Sequence, residues 1–235
     1  VIGILICFFN PGPDRFLFAG IFSLLGISNI YFFNNAIDYF SQSTLLNPFT
    51  HTWSLGIEEQ FYFFYPVIFW FSGYGQKNHN GEKKLIFLLI FLSLISLSLF
   101  IYFYEFNQPA AYFLIPNRFW EIATGCLVFF CYKNNFFRYV LNKIPSYLLV
   151  ILTITIFFIP VSLSFYTTIL IVFCTGLLLL TFKNNLYTYQ LFIHPKVVFI
   201  GLISYSLYLW HWGVLVLSRW TIGINKWTVI FQLII

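Results

Sequence analysis

The sequence predicts an all-α fold, a polytopic bundle of transmembrane helices, on three observations. Of its 235 residues, 60% are hydrophobic, 24% aromatic and only 8% charged, far outside the range of a water-soluble globular domain. Apolar runs of membrane-spanning length recur along the whole chain. Aromatic residues, among them Tyr102, Tyr104, Trp120, Tyr132, Trp220 and Trp227, stand at many of the run ends, where amphipathic rings settle at the headgroup level. No stretch has soluble-domain composition, so residues 1–235 read as one transmembrane domain.

The predicted spans follow the runs in order. Residues 1–9 and 227–235 are apolar but too short to cross, and with no methionine in the chain they lead us to expect a domain truncated at both ends. The run at 16–34 contains Ser23, Ser28, Asn29 and Asn34, so a re-entrant segment competes with a full span there. A third run, 54–72, is preceded by Asn47 and Pro48, a pair that suits a helix N-cap and first turn. Further spans are expected at 85–104, 118–132, 146–160, 164–182 and 198–218. The Asn-rich stretches at 133–135 and 183–185 serve as polar connectors.

If the spans alternate, Arg15, Lys77, Lys83, Lys84, Lys133, Arg138, Lys143, Lys183 and Lys196 share one side, and Arg118, Arg219 and Lys226 the other. The richer side is expected to be cytoplasmic. This accounts for the net charge of +5 without nucleic acid, because the basic residues lie scattered in short loops.

Against this apolar background, residues 51–62, HTWSLGIEEQFY, carry a histidine, a serine and two adjacent carboxylates. An ionised carboxylate near the hydrocarbon costs about 2.5–3.5 kcal/mol on insertion scales, and such groups usually face a polar cavity, a partner or a substrate. A helix running from about His51 would place His51, Ser54, Glu58, Tyr62 and Tyr65 on one face, with Glu59 and Gln60 pointing elsewhere. Glu58 is therefore the preferred functional acid. The competing reading leaves both carboxylates at the interface, solvated or paired.

Two further stretches interrupt the apolar pattern. RFWEIATG (118–125) puts Arg118 and Glu121 one turn apart with Gly125 one turn on. This is either an ion pair at a helix start with glycine allowing close packing, or a guanidinium fork held by Glu121 for a phosphate or carboxylate. ISYSLYLWHWGVLVLSR (203–219) places Ser204, Tyr208 and His211 on one helical face. There the choice lies between a satisfied buried imidazole and proton transfer or substrate binding.

Cys7, Cys126, Cys131 and Cys174 have no ligand-like spacing, so free thiols are expected and no metal. His79 and His194 lie in loops without a metal partner at ligand spacing. Nucleophile elbow, P-loop, dinucleotide and HExxH patterns are absent.

Three separated stretches, NPFTHTWSLGIEEQFYFFYP (47–66), RFWEIATG (118–125) and IGLISYSLYLWHW (200–212), match one pattern in order and spacing. By them the chain resembles the acyltransferase type 3 family, integral membrane O-acyltransferases. That resemblance implies transfer of an acyl group, commonly acetyl from acetyl-CoA as co-substrate, to a hydroxyl of lipopolysaccharide, peptidoglycan or another cell-envelope glycan. It implies no bound cofactor, a multi-pass location in the bacterial inner membrane, and the lipid bilayer, acyl-CoA and a carbohydrate acceptor as partners. Residue by residue it marks Trp53, Ser54, Glu58, Gln60, Tyr62, Arg118, Glu121, Ser204, Tyr205 and His211. A histidine on an earlier helix, usually proposed as the base, and an arginine-rich cytoplasmic motif are expected upstream of Val1. Without them this stretch of chain is expected to be inactive by itself. Gly213 also replaces the proline that usually follows the last motif.

The expected catalytic residues are thus Glu58, His211 and His51, with Trp53, Ser54, Tyr62, Arg118, Glu121, Ser204, Tyr205 and Tyr208 binding substrate. Glu58 orients or deprotonates a histidine, either the upstream one or His211, while Arg118 positions donor or acceptor. His51 is either a substitute base or a polar cap. The rival reading is a membrane transporter or flippase for a glycan or lipid-linked substrate, which predicts broken helices and half-repeats that the sequence does not display. A scaffold held together by polar contacts leaves the concentration of polar residues at 51–62 unexplained.

Overall fold

The computed structural model describes residues 14–35, 46–76, 80–134, 144–181, 187–223 and 225. Among them the regular structure is helical throughout, with no strand. The helices are α1 (Asp14–Leu24), α2 (Ser28–Asn34), α3 (Trp53–Ser72), α4 (Gly81–Phe106), α5 (Gln108–Phe113), α6 (Ile115–Lys133), α7 (Ser146–Ile156), α8 (Ser164–Thr181), α9 (Tyr187–Phe192) and α10 (Pro195–Thr221). Short 3-10 turns at Thr50–Thr52 and Val161–Leu163 lead into α3 and α8.

Three segments, Gly81–Phe106, Val161–Thr181 and Pro195–Thr221, are long and apolar enough to cross a membrane. At about 1.5 Å per residue each exceeds the roughly 30 Å hydrocarbon layer. Leu202, Phe158 and Val161 are among many large apolar side chains left exposed, as suits a surface facing lipid.

Several expectations need correcting. The run at 16–34 is not one span but α1 and α2 separated by a turn at Gly26, whose φ is +69°. Its left-handed backbone favours glycine, and a Cβ there would displace the Glu59 carboxylate, which lies 2.0 Å from the ideal position. The predicted 146–160 span is shorter, ending at Ile156. Two short helices, α5 and α9, were not anticipated; α5 is capped by Asn107, whose Oδ1 accepts the Ala110 N–H at 3.1 Å. Asn47 does not cap α3, because its Oδ1 accepts the Phe49 N–H and the chain then makes the 3-10 turn before α3 begins at Trp53. The partial spans at 1–9 and 227–235, together with Cys7, His79 and Lys226, lie outside the described residues.

The chain forms two compact units. The first comprises residues 1–64, 107–115 and 201–235, the second 65–106 and 116–200. In the first, Ala19, Phe32 and Phe113 form a buried apolar cluster with Tyr31, Phe33, Phe49 and Trp53 packed against it. Beside the cluster Asn29, 1% exposed, donates to the Phe113 carbonyl at 3.0 Å and accepts from the Gln60 amide at 2.7 Å. Gln60 also reaches the Gly26 carbonyl at 3.3 Å. Gly56 permits this approach, since a Cβ there would stand 2.9 Å from Asn29 Oδ1. Glu59 and Gln60 therefore do face away from Glu58, toward the α1–α2 turn.

In the second unit α4 and α6 run antiparallel. Ser96 accepts the Trp120 N–H at 3.1 Å, Phe100 packs on Trp120, and Glu82 meets Lys133 at 2.7 Å on the surface. Lys83, Lys84 and Lys133 thus gather at one end of this pair, with Arg118 toward the other. Tyr104 bonds Ser164 at 2.6 Å and Phe165 stacks on Phe100, joining α8 to α4. Gly176, not Gly125, makes the close interhelical approach. A Cβ on Gly176 would lie 3.3 Å from Val128, whereas one on Gly125 would meet nothing within 4 Å.

Replacing Asn29 by leucine leaves the Phe113 carbonyl and the Gln60 amide short of a buried partner, at a cost of about 1–3 kcal/mol for each stranded group. The expected outcome is a clear fall in the thermal unfolding midpoint in detergent. An unchanged midpoint would show that the amide network adds no net stability.

Candidate functional site

The segment entering α3 is fastened by its own polar groups. The Asn47 carbonyl accepts from the Thr50 N–H at 3.2 Å and the Thr50 hydroxyl at 3.0 Å, and the Thr52 hydroxyl donates to the Phe49 carbonyl at 2.7 Å. Serines of the first unit grip the same segment, with Ser23 and Thr52 hydroxyls 2.6 Å apart and Ser28 donating to the Thr52 carbonyl at 2.8 Å. Each buried hydroxyl is thereby satisfied, as a low-dielectric setting requires.

From α10, Tyr208 donates its hydroxyl proton to the His51 carbonyl. A phenol has one proton to give, so the Ser54 hydroxyl, 2.6 Å away, is the donor to Tyr208. The resulting relay runs Ser54, Tyr208, His51 carbonyl. Glu58 stands one turn beyond Ser54 on α3, exposed on the unit surface and within electrostatic reach of Tyr208, as is Tyr112 of α5.

Two imidazoles meet here. The rings of His51 and His211 lie 5.4 Å apart in an edge-to-face arrangement, and Tyr208 lies 5.1 Å from His51. His211 Nδ1 is 2.6 Å from the Tyr208 carbonyl. A carbonyl only accepts, so Nδ1 carries a proton, and a neutral ring presents its lone pair at Nε2. His51 differs, because both of its ring nitrogens are buried and neither makes a well-formed hydrogen bond. Its side chain caps nothing. Burial, reinforced by His211 and offset in part by the Leu209 backbone, lowers its pKa from 6.5 to about 4, so the ring is neutral at physiological pH.

The structure therefore brings His51, Ser54, Tyr208 and His211 together in one unit, with Glu58 exposed one turn beyond Ser54. Trp53 stacks on Tyr112 at 4.4 Å and on Phe113 at 5.4 Å beside them, while Tyr62 is 61% exposed further along α3. Ser204 stays exposed and donates to its own helix at the Gly201 carbonyl, and Tyr205 is exposed as well, so neither joins the cluster. Two participants were missed by sequence reasoning. They are Asn47, whose carbonyl accepts the Trp212 indole N–H at 2.8 Å, and Trp212 itself. The repeated tryptophans flanking His211 were the available signal.

Arg118 and Glu121 belong to the second unit, where they form a two-point ion pair of 2.9 and 2.6 Å. Glu121, Thr124 and Gly125 of α6 line a groove of about 200 Å³ with Ile171, Thr175 and Gly176 of α8. Cys126, Cys131 and Cys174 are free thiols, and His194 is exposed. Among the described residues no three His, Cys, Asp or Glu side chains are arranged to hold a metal ion.

Comparison with known proteins gives one consistent result. A family model described as an acyltransferase domain matches residues 4–235. "Putative O-acetyltransferase SACOL0978" of Staphylococcus aureus strain COL is 31% identical over 206 residues, which are 80% of this chain and 33% of that protein. The O-acetyltransferase OatA of S. aureus strain NCTC 8325 / PS 47 is 30% identical over 205 residues, 81% of this chain and 33% of the relative. The chain thus spans about a third of the length of the curated relatives it matches. No solved structure matches it.

The depressed value of His51 fixes the sign of a pH effect. The folded protein holds the neutral ring, so its contribution is complete above pH 6.5 and is lost as pH falls toward about 4, where the unfolded chain gains a proton first. The thermal midpoint of the wild type should therefore fall more steeply between pH 6.5 and 4 than that of His51→Phe. Parallel slopes would contradict the assignment of a buried neutral ring.

Proposed function

Because the chain belongs to the acyltransferase domain family, we propose that it forms the membrane-embedded part of an O-acyltransferase. On this reading it moves an acyl group, acetyl in the simplest case, from acyl-CoA to a hydroxyl of a cell-surface glycan in a bacterial plasma membrane. The staphylococcal relatives named as O-acetyltransferases support the acetyl group and the bacterial setting.

The observation that carries the chemistry is the edge-to-face pairing of two imidazoles, His51 and His211, whose ring nitrogens differ in their surroundings. When its ring is neutral His211 offers a lone pair at Nε2, and His51 offers a buried ring N–H that makes no well-formed hydrogen bond. Acyl transfer needs both, a base at the attacking hydroxyl and a donor at the developing oxyanion. His211 accepts the proton of the sugar hydroxyl as its oxygen bonds the thioester carbonyl carbon. The N–H of His51 then stabilises the oxyanion, a role for which a neutral imidazole is suited. As the tetrahedral adduct collapses, the carbon–sulfur bond breaks and His211 returns the proton to the departing thiolate. Glu58, exposed one turn beyond Ser54 on α3, is assigned to stabilise the transient imidazolium, and Trp53 and Tyr62 give the acceptor apolar surface. Arg118, paired with Glu121 in the second unit, is proposed separately as a binder of an acidic group.

One observation favours the transporter reading. The break between α1 and α2 is a discontinuous helix of the kind transporters use at their binding sites. Its polar residues Ser28 and Asn29 are nevertheless fully engaged with Thr52, Gln60 and Phe113, which suits a structural turn.

Membranes carrying the full-length protein, given labelled acetyl-CoA and total cell-envelope glycan, should yield labelled glycan. His211→Gln and Glu58→Gln should each lower the rate by about 10²-fold or more. Undiminished labelling by either variant would remove that residue from the mechanism. Transbilayer movement of glycan without any acylation would favour the rival.

A further inference from the structure

α10 holds the segment that carries His51 at two main-chain carbonyls. Tyr208 donates to the carbonyl of His51, and Trp212, one turn later on the same helix face, donates its indole N–H to the carbonyl of Asn47 at 2.8 Å. Between these points the segment makes its 3-10 turn, and Ser23 and Ser28 hold the far side. The helix that presents His211 thus also sets where the His51 ring stands. Arg219 lies over the Trp212 ring, 5.4 Å from its centroid, and steadies the indole from the next turns of α10.

We propose that Trp212 is a positioning residue for acyl transfer, its indole N–H holding the Asn47–His51 segment in register with His211 so that the buried ring of His51 meets the developing oxyanion. The proposal rests on the reading of His51 and His211 given above. Trp212 touches no reacting atom in this scheme, and it acts only through His51. The Asn47 carbonyl retains both Thr50 donors without it, so loss of the indole bond shifts the segment instead of unfolding it. Oxyanion stabilisation exists only in the transition state. A displaced ring must then lower kcat and leave KM for both substrates in place.

Trp212→Phe keeps the aromatic ring and removes only the N–H. In membranes with the full-length protein, labelled acetyl-CoA and cell-envelope glycan, we expect kcat to fall about 10-fold with KM within twofold and an unchanged thermal midpoint. His51→Ala and the double variant His51→Ala/Trp212→Phe should be equally slow, because a residue acting through His51 has nothing to position once that ring is gone. Should Trp212→Phe fold poorly, Tyr208→Phe removes the second fastening and should give the same kcat-only loss. Wild-type kcat in Trp212→Phe, a rise in KM, or a loss that tracks the thermal midpoint would overturn the proposal. If His51→Ala is slow while Trp212→Phe is normal, only the positioning role falls. If His51→Ala is as fast as wild type, the oxyanion role of His51 falls first and the positioning role with it.

Discussion

The phenolic bridge at Tyr208 is the contact on which the site depends. One hydroxyl group joins an α3 side chain, through Ser54, to the backbone at His51, and both ends are reached from α10, more than 150 residues later in the chain. Such a bridge is cheap in water and valuable in a low-dielectric interior, where a polar group without a partner is penalised and a satisfied one fixes geometry. Because the phenol gives its proton to a carbonyl, its own chemistry is spent on architecture.

The contrast between those imidazoles follows from their surroundings and not from their type. His211 lies one turn after a carbonyl of its own helix and adopts the tautomer which that carbonyl imposes. His51 sits in a turn whose polar groups are already paired with Ser23, Ser28, Thr50 and Thr52, and its buried ring nitrogens make no well-formed hydrogen bond. Two residues of the same kind thereby acquire complementary capacities, one to take a proton and one to give a hydrogen bond.

Long apolar elements were legible in the sequence because periodicity and length suffice for them. The segments 85–104, 164–182 and 198–218 correspond to α4, α8 and α10. The α1–α2 break was only half legible. Its polar residues marked 16–34 as unusual, yet they do not locate the break, which lies at the positive φ of Gly26. Short α5 and α9 carry too few apolar turns to register. At the site, helical spacing placed Tyr208 and His211 on one face, and the bond from His211 to the Tyr208 carbonyl is such a one-helix relation. It also added Ser204, which shares the periodic face but bonds to its own backbone. Trp212 could not be found this way, because its partner is a main-chain oxygen 165 residues distant.

The bond from His211 Nδ1 to the Tyr208 carbonyl also makes the outward chemistry of that ring one-sided. An electrophile arriving from outside the helix meets a single nucleophilic nitrogen, so a covalent adduct at this histidine carries one regiochemistry, with alkyl or acyl on Nε2.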